Sequence, residues 1–109
     1  MDKQARKTKI EALKMQPRLL ADGRSEAIRP AAGKKFTRME ILEKLGCQDL
    51  DLVYLAGTGL VFVIDAQGQA NERARNEAAN ELWEALVPGI SQINYVAGPC
   101  VVCAAPKRS

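Results

Sequence analysis

At 109 residues and 47% hydrophobic content, the chain has the size and composition of one small domain with an ordinary core. Only 5% of its residues are aromatic, so that core is aliphatic, and the complete lack of histidine excludes Ser–His and Cys–His nucleophile pairs and imidazole metal ligands. The net charge of +3 conceals a steep asymmetry: residues 1 to 44 hold twelve Lys and Arg against six Asp and Glu, residues 45 to 105 hold two against seven, and the last four add two cations. A basic front half and an acidic rear suit an anionic partner, a solvated surface, or attraction between subunits. A domain this small buries roughly 65% of its unfolded surface, so a homo-oligomer is expected to add stability.

In chain order, residues 1 to 8 are polar and basic, with only Ala5 to bury, and read as a flexible tail. The following Ile10-Glu11-Ala12-Leu13-Lys14-Met15 is helix material by propensity, but Pro17 leaves room for only two turns. Asp22-Gly23 reads as a turn, Ser25 to Arg29 as an extended segment before Pro30, and 31–35 as a loop. The next stretch is the most legible. Thr37 and Glu40 form a capping box, Phe36 and Ile41 a hydrophobic staple, Lys44 complements the helix dipole, and Gly46 supplies a left-handed stop, with Met39, Leu42 and Leu45 as the apolar stripe.

Leu50 to Leu55 and Leu60 to Ile64 make a hairpin around Gly57-Thr58-Gly59, and the second strand, apolar on both faces, is central. Glu72 to Val87 is helical, with Asn71 as N-cap and Pro88-Gly89 as stop. Its packing face is Ala74, Ala78, Ala79, Leu82 and Leu86, with Trp83 beside that stripe. Ile93 to Val96 and Cys100 to Ala105 read as closing strands, and residues 106 to 109 as a second tail.

Few of these residues suggest catalysis. Cys100 and Cys103 have the spacing of a zinc or redox pair, but only Cys47 remains to complete a metal site, and positions three apart in a strand face opposite sides. An odd number of thiols fits a reducing cytoplasm and small buried side chains. Gly57-Thr58-Gly59 leads into a strand, and Phe62 stands where a dinucleotide fingerprint needs its third glycine. Asp49, Asp51 and Asp65 flank the hairpin without forming a catalytic pair. The chain is therefore read as a non-enzyme without cofactor or metal. The longest apolar runs are far too short to span a bilayer, and the basic first residues lack a following apolar stretch, so an unexported cytoplasmic protein is expected.

Two sets of binding candidates remain. Arg73, Arg75, Asn76 and Asn80 cluster at the start of the long helix, where free N–H groups and the positive dipole end favour a small anionic, nucleotide-like ligand; the alternative is a solvated face. Lys7, Lys9, Lys34, Lys35 and Arg38 are the cations set aside for nucleic acid or an acidic partner.

Taken together, Asp22-Gly23, Ala27-Ile28-Arg29-Pro30, Gly33-Lys34-Lys35-Phe36-Thr37, Ile41-Leu42-Glu43-Lys44-Leu45-Gly46, Val61-Phe62-Val63-Ile64-Asp65, Asn76-Glu77-Ala78-Ala79 and Gly98-Pro99-Cys100-Val101-Val102-Cys103 are similar to the domain of unknown function family 3846 of phages and mobile elements. The resemblance covers about residues 9 to 105, the expected single domain. It implies that Lys9 to Gln16 is a strand pairing with Arg24 to Arg29. The implied fold is α+β, of order ββαββαββ, with a small, mainly antiparallel sheet of two or three hairpins and two helices packed on one face. It also implies a phage or mobile-element origin, a place in the host cytoplasm and a role in blunting a host defence, while the missing catalytic groups and the charge asymmetry suggest a binding protein that holds a host protein or small anionic ligand. The alternative is a nucleic-acid-binding accessory protein using the basic N-terminal half.

Overall fold

Asp2 opens the first helix. Its carboxylate accepts the backbone N–H of Ala5 at 2.7 Å, and α1 runs over Lys3–Met15 in the computed structural model, which describes residues 2–31, 33 and 35–106. Residues 3 to 8 are therefore not a tail, and Lys9 to Gln16 is not a strand. Two turns alone would not offset the cost of nucleating a helix, but the earlier residues lengthen it to 13, with a capped start and Ile10 and Leu13 to bury. Local propensity prevails over the strand that the resemblance implied. At the other end, 107–109 of the expected second tail lie outside the described residues.

Two hairpins supply four strands. β1 (Arg18–Ala21) and β2 (Arg24–Ala27) are joined by Asp22 and Gly23, with φ of 51° and 73°, the left-handed pair of a tight two-residue turn. β3 (Leu50–Leu55) and β4 (Leu60–Asp65) pair in register from Leu50 opposite Asp65 to Leu55 opposite Leu60. The last strand, β5 (Cys100–Ala104), enters between the hairpins and gives an antiparallel five-stranded sheet ordered β2-β1-β5-β4-β3. The expected strand over Ile93 to Val96 does not form. Both backbone groups of Val96 are taken by the side chain of Asn80, at 2.8 and 3.0 Å, so this segment docks on a helix instead of a strand.

The remaining helices are α2 (Arg38–Leu45) and α3 (Glu77–Leu86). The Thr37–Glu40 capping box closes in both directions, at 3.2 and 3.0 Å, and Gly46 ends α2 at φ 61°. Of the expected stripe Leu45 is buried but Met39 is 63% exposed, and Ile41 takes its place beside Leu45 on the buried edge of α2. α3 starts at Asn76 and not Asn71, because the preceding residues close turns of their own, with Asn71 N–H bonded to Gln67 O and Arg73 N–H to Gly68 O. Trp83 lies within its packing face, edge-on to Phe62 with ring centroids 5.6 Å apart, while Ala74 precedes the helix.

Two helices do share one face of the sheet, but they are α1 and α3, packed with Leu20, Leu60, Phe62 and Val102. The capped helix α2, expected beside α3, covers the other face over Val61, Val63 and Val101. The reason lies in β4, whose two faces are both apolar and both require cover.

Side chains engage part of each outward sheet edge. Ala66 N–H donates to Asp49 O, which makes 49 and 66 a hydrogen-bonded pair and turns the backbone groups of Leu50, Leu52 and Tyr54 outward. The carboxylates of Asp49 and Asp51 accept the outward N–H groups of Leu50 and Leu52 at 3.0 and 2.9 Å. On β2, the Arg18 guanidinium donates to Ser25 O at 2.8 Å. These contacts oppose strand addition at the edges. The α2 start is open to a direct check: Thr37→Ala should cost about 1 kcal/mol in denaturant unfolding through the lost cap, and an unchanged midpoint would contradict it.

Candidate functional site

The loop from β4 to α3 brings the first candidate set together. Asp65, at the end of β4, is only 7% exposed; its carboxylate accepts Gln67 N–H and pairs with the Arg73 guanidinium at 2.9 Å. The same guanidinium nitrogen donates to Leu45 O at the end of α2, at 3.1 Å. Its stem lies flat on Gly98, where an added Cβ would stand 3.0 Å from Arg73 Cδ. Arg73 is thus a strut linking α2, β4 and the approach to β5.

Asn76 is buried, and its amide donates to Leu20 O and Gly98 O at 2.8 and 2.9 Å while its carbonyl oxygen accepts Ala79 N–H. Asn80 donates to Asn76 O and Val96 O and accepts Val96 N–H. Arg75 lies on the Tyr95 ring, 4.3 Å from its centroid, a cation–π contact. Arg73 and Arg75 precede α3, whereas Asn76 caps it and Asn80 lies within it; Arg73, Asn76 and Asn80 donate to protein acceptors, and Glu77 adds a negative charge to the first turn of α3. Arg75 is the member that remains exposed.

The second set is divided by the sheet. Lys7 and Lys9 are exposed on α1, whereas Lys35 and Arg38 stand at the start of α2, across the sheet; Lys34 lies outside the described residues. Arg38 is paired with Asp49 at 3.0 Å. Lys9 instead meets residues from another element: together with Ala12, Leu13, Gln16, Arg18 and Ser25 it lines a cavity of about 270 Å³ between α1 and the β1–β2 hairpin. The sequence contains no local sign of this meeting, because it depends on the helix folding back over the hairpin.

Cys100 and Cys103 point to opposite faces, Cys100 among the α1/α3 cluster and Cys103 against the α2 cluster, as strand alternation requires. Burial pushes the Cys100 thiol well above its ordinary range and raises Cys103. Cys47 is raised by burial and then by the nearby Asp65 charge. No group of three or more metal-binding side chains occurs among the described residues.

Arg73→Met would leave the Asp65 carboxylate without its counter-charge and should cost about 2 kcal/mol, less than a fully buried pair because Arg73 is partly solvated; equilibrium unfolding indistinguishable from the native chain would contradict the strut. Because raised thiols hold little thiolate, iodoacetamide at about pH 8 should alkylate native Cys100 only through unfolding. Labelling of Cys100 as fast as that of a free thiol would contradict its burial.

No family model, curated protein or solved structure matches this chain.

Proposed function

We propose that this chain is a non-enzymatic binding protein of a phage or mobile element, engaging an anionic partner, an acidic face of a host protein or a small anionic ligand, through the basic surface of α1. Blunting of a host defence is the role that the family resemblance suggests for it. The observation that carries the reading is α1 itself. Lys3, Lys7, Lys9 and Lys14 are exposed on it, and the ion pairs among the described residues, Arg38–Asp49 and Arg73–Asp65, involve none of these lysines. The helix presenting them is anchored by buried Ile10 and Leu13, and by Arg6, whose Nε donates to Leu86 O at the C-terminus of α3, where a cation complements the dipole. Long-range attraction from such a surface steers anions and weakens with salt. The membrane plays no part in this reading, and no helix among the described residues is long and apolar enough to cross one.

Nucleic acid is the alternative partner, and the division of the cations between two faces of the sheet weighs against a single track along a phosphate backbone. A salt-series titration with polyglutamate and with random duplex and single strands tests both. The protein should bind polyglutamate at low salt, and Lys3→Gln/Lys7→Gln/Lys14→Gln should weaken that binding without changing the melting temperature. Failure to bind any of these polyanions at low salt would overturn the reading of α1 as a docking surface for an acidic macromolecule, and a strong preference for either strand form over polyglutamate would replace it with the nucleic-acid reading.

A further inference from the structure

The cavity beneath α1 has a chemistry of its own. In the register of β1 and β2, Arg18, Leu20 and Ser25 lie on the face covered by α1 and α3, whereas Glu26, opposite Leu19, lies on the α2 face. No carboxylate therefore lines the cavity, whose floor is Leu13. Its walls are fixed: the Gln16 amide donates to Pro17 O and Ile28 O, and Arg18 is held through Nε to the Ser25 hydroxyl and through Nη2 to Ser25 O. Three donors are not engaged by these contacts, Arg18 Nη1, the Lys9 ammonium and the Ser25 hydroxyl hydrogen, and they outnumber the free side-chain amide oxygen of Gln16, an acceptor.

We propose that this cavity binds a phosphate monoester, whose three terminal oxygens accept from Arg18, Lys9 and Ser25. A carboxylate can accept from three donors as well, but it carries a single negative charge on two oxygens, a poorer match to two cations and a hydroxyl than the nearly doubly charged, three-oxygen phosphate monoester. The carbonyl end of α1 opposes an anion here with about half a charge, but two full cations outweigh it. The organic portion leaves along α1, where a second hollow shares Lys9 and Ala12 and continues past Thr8 and Ala5 to Gln4 and the Asp2 carboxylate, so the part lying there is neutral. The volume of about 270 Å³ admits the phosphoryl group but lies at the small end for a whole ligand, consistent with an ester whose remainder lies outside. This deepens the anionic-partner reading by giving a small ligand a defined site.

Isothermal titration of the full chain with glycerol 3-phosphate, and with glycerate as the carboxylate control, tests the site. One equivalent of glycerol 3-phosphate should bind, and glycerate should bind more weakly. Lys9→Gln, a change on an exposed helix position, should raise Kd about tenfold or more, the loss expected for one charged hydrogen bond. Lys44→Gln, which removes the same charge from an exposed position of α2 across the sheet, should leave Kd unchanged. Absence of binding at millimolar ligand, a Kd unaffected by Lys9→Gln, or equal weakening by Lys44→Gln would each overturn the proposal. Polyglutamate binding without glycerol 3-phosphate binding would remove this site alone, whereas the converse would remove the broader acidic-surface reading and leave the cavity standing.

Discussion

The buried carboxamide of Asn76 ties together three separate parts of the chain: β1 through Leu20 O, the approach to β5 through Gly98 O, and α3 through Ala79 N–H. Its backbone extends the joint, since its N–H donates to Val96 O and its carbonyl accepts from Asn80. Each of these bonds is modest alone, but in a low-dielectric interior an unpaired partner would cost more than the bond contributes. Arg73 and Asp65 form the corresponding joint on the α2 side, through Leu45 O. β5, the last strand in the chain, enters between hairpins formed much earlier, and these two joints flank the Gly98 turn through which it arrives.

Where a local signal carried its own physical reason, the sequence was legible. The capping box of α2, its left-handed glycine, the Asp22-Gly23 turn and the β3–β4 hairpin all formed where their residues indicated. Helix placement was harder. An apolar run from Leu60 to Ile64 already implies cover on both faces of the sheet, so placing the capped and long helices together contradicted the central strand inferred from the same residues. The first helix is legible from Ile10 to Met15 by propensity, against the strand that the resemblance implies; its true start shows only when residues 2 to 16 are read as one, because Asp2 supplies the cap. Nothing local to segment 93–96 shows that Asn80 accepts and donates at Val96, so its residues resemble a strand that does not form.

The candidate site changed in kind. Arg73, Asn76 and Asn80 were selected as polar residues at a helix start, and they do converge there, but as a joint with its donors engaged by protein carbonyls and a carboxylate. Polar side chains facing inward look the same in a sequence as polar side chains facing a ligand; burial and partners separate them. The lysines of α1 present the opposite case, exposed and without ion-pair partners among the described residues. The anion binding proposed for α1 would therefore leave these joints in place, and the carboxylate and guanidinium contacts on the sheet edges leave the helix layers as the more accessible contact surfaces.

The most direct test of this account is the unfolding free energy of Asn76→Asp. Asp caps a helix as well as Asn, so a cap alone would leave stability near the native value. If the amide donors join β1 and the Gly98 turn, the new carboxylate will face two carbonyl oxygens. The variant should then lose about 2 kcal/mol or more at neutral pH. Its carboxyl pKa would be raised in the folded state, so part of the loss should be recovered as pH falls and the protonated acid donates one bond. Native-like stability of Asn76→Asp at neutral pH would contradict the account.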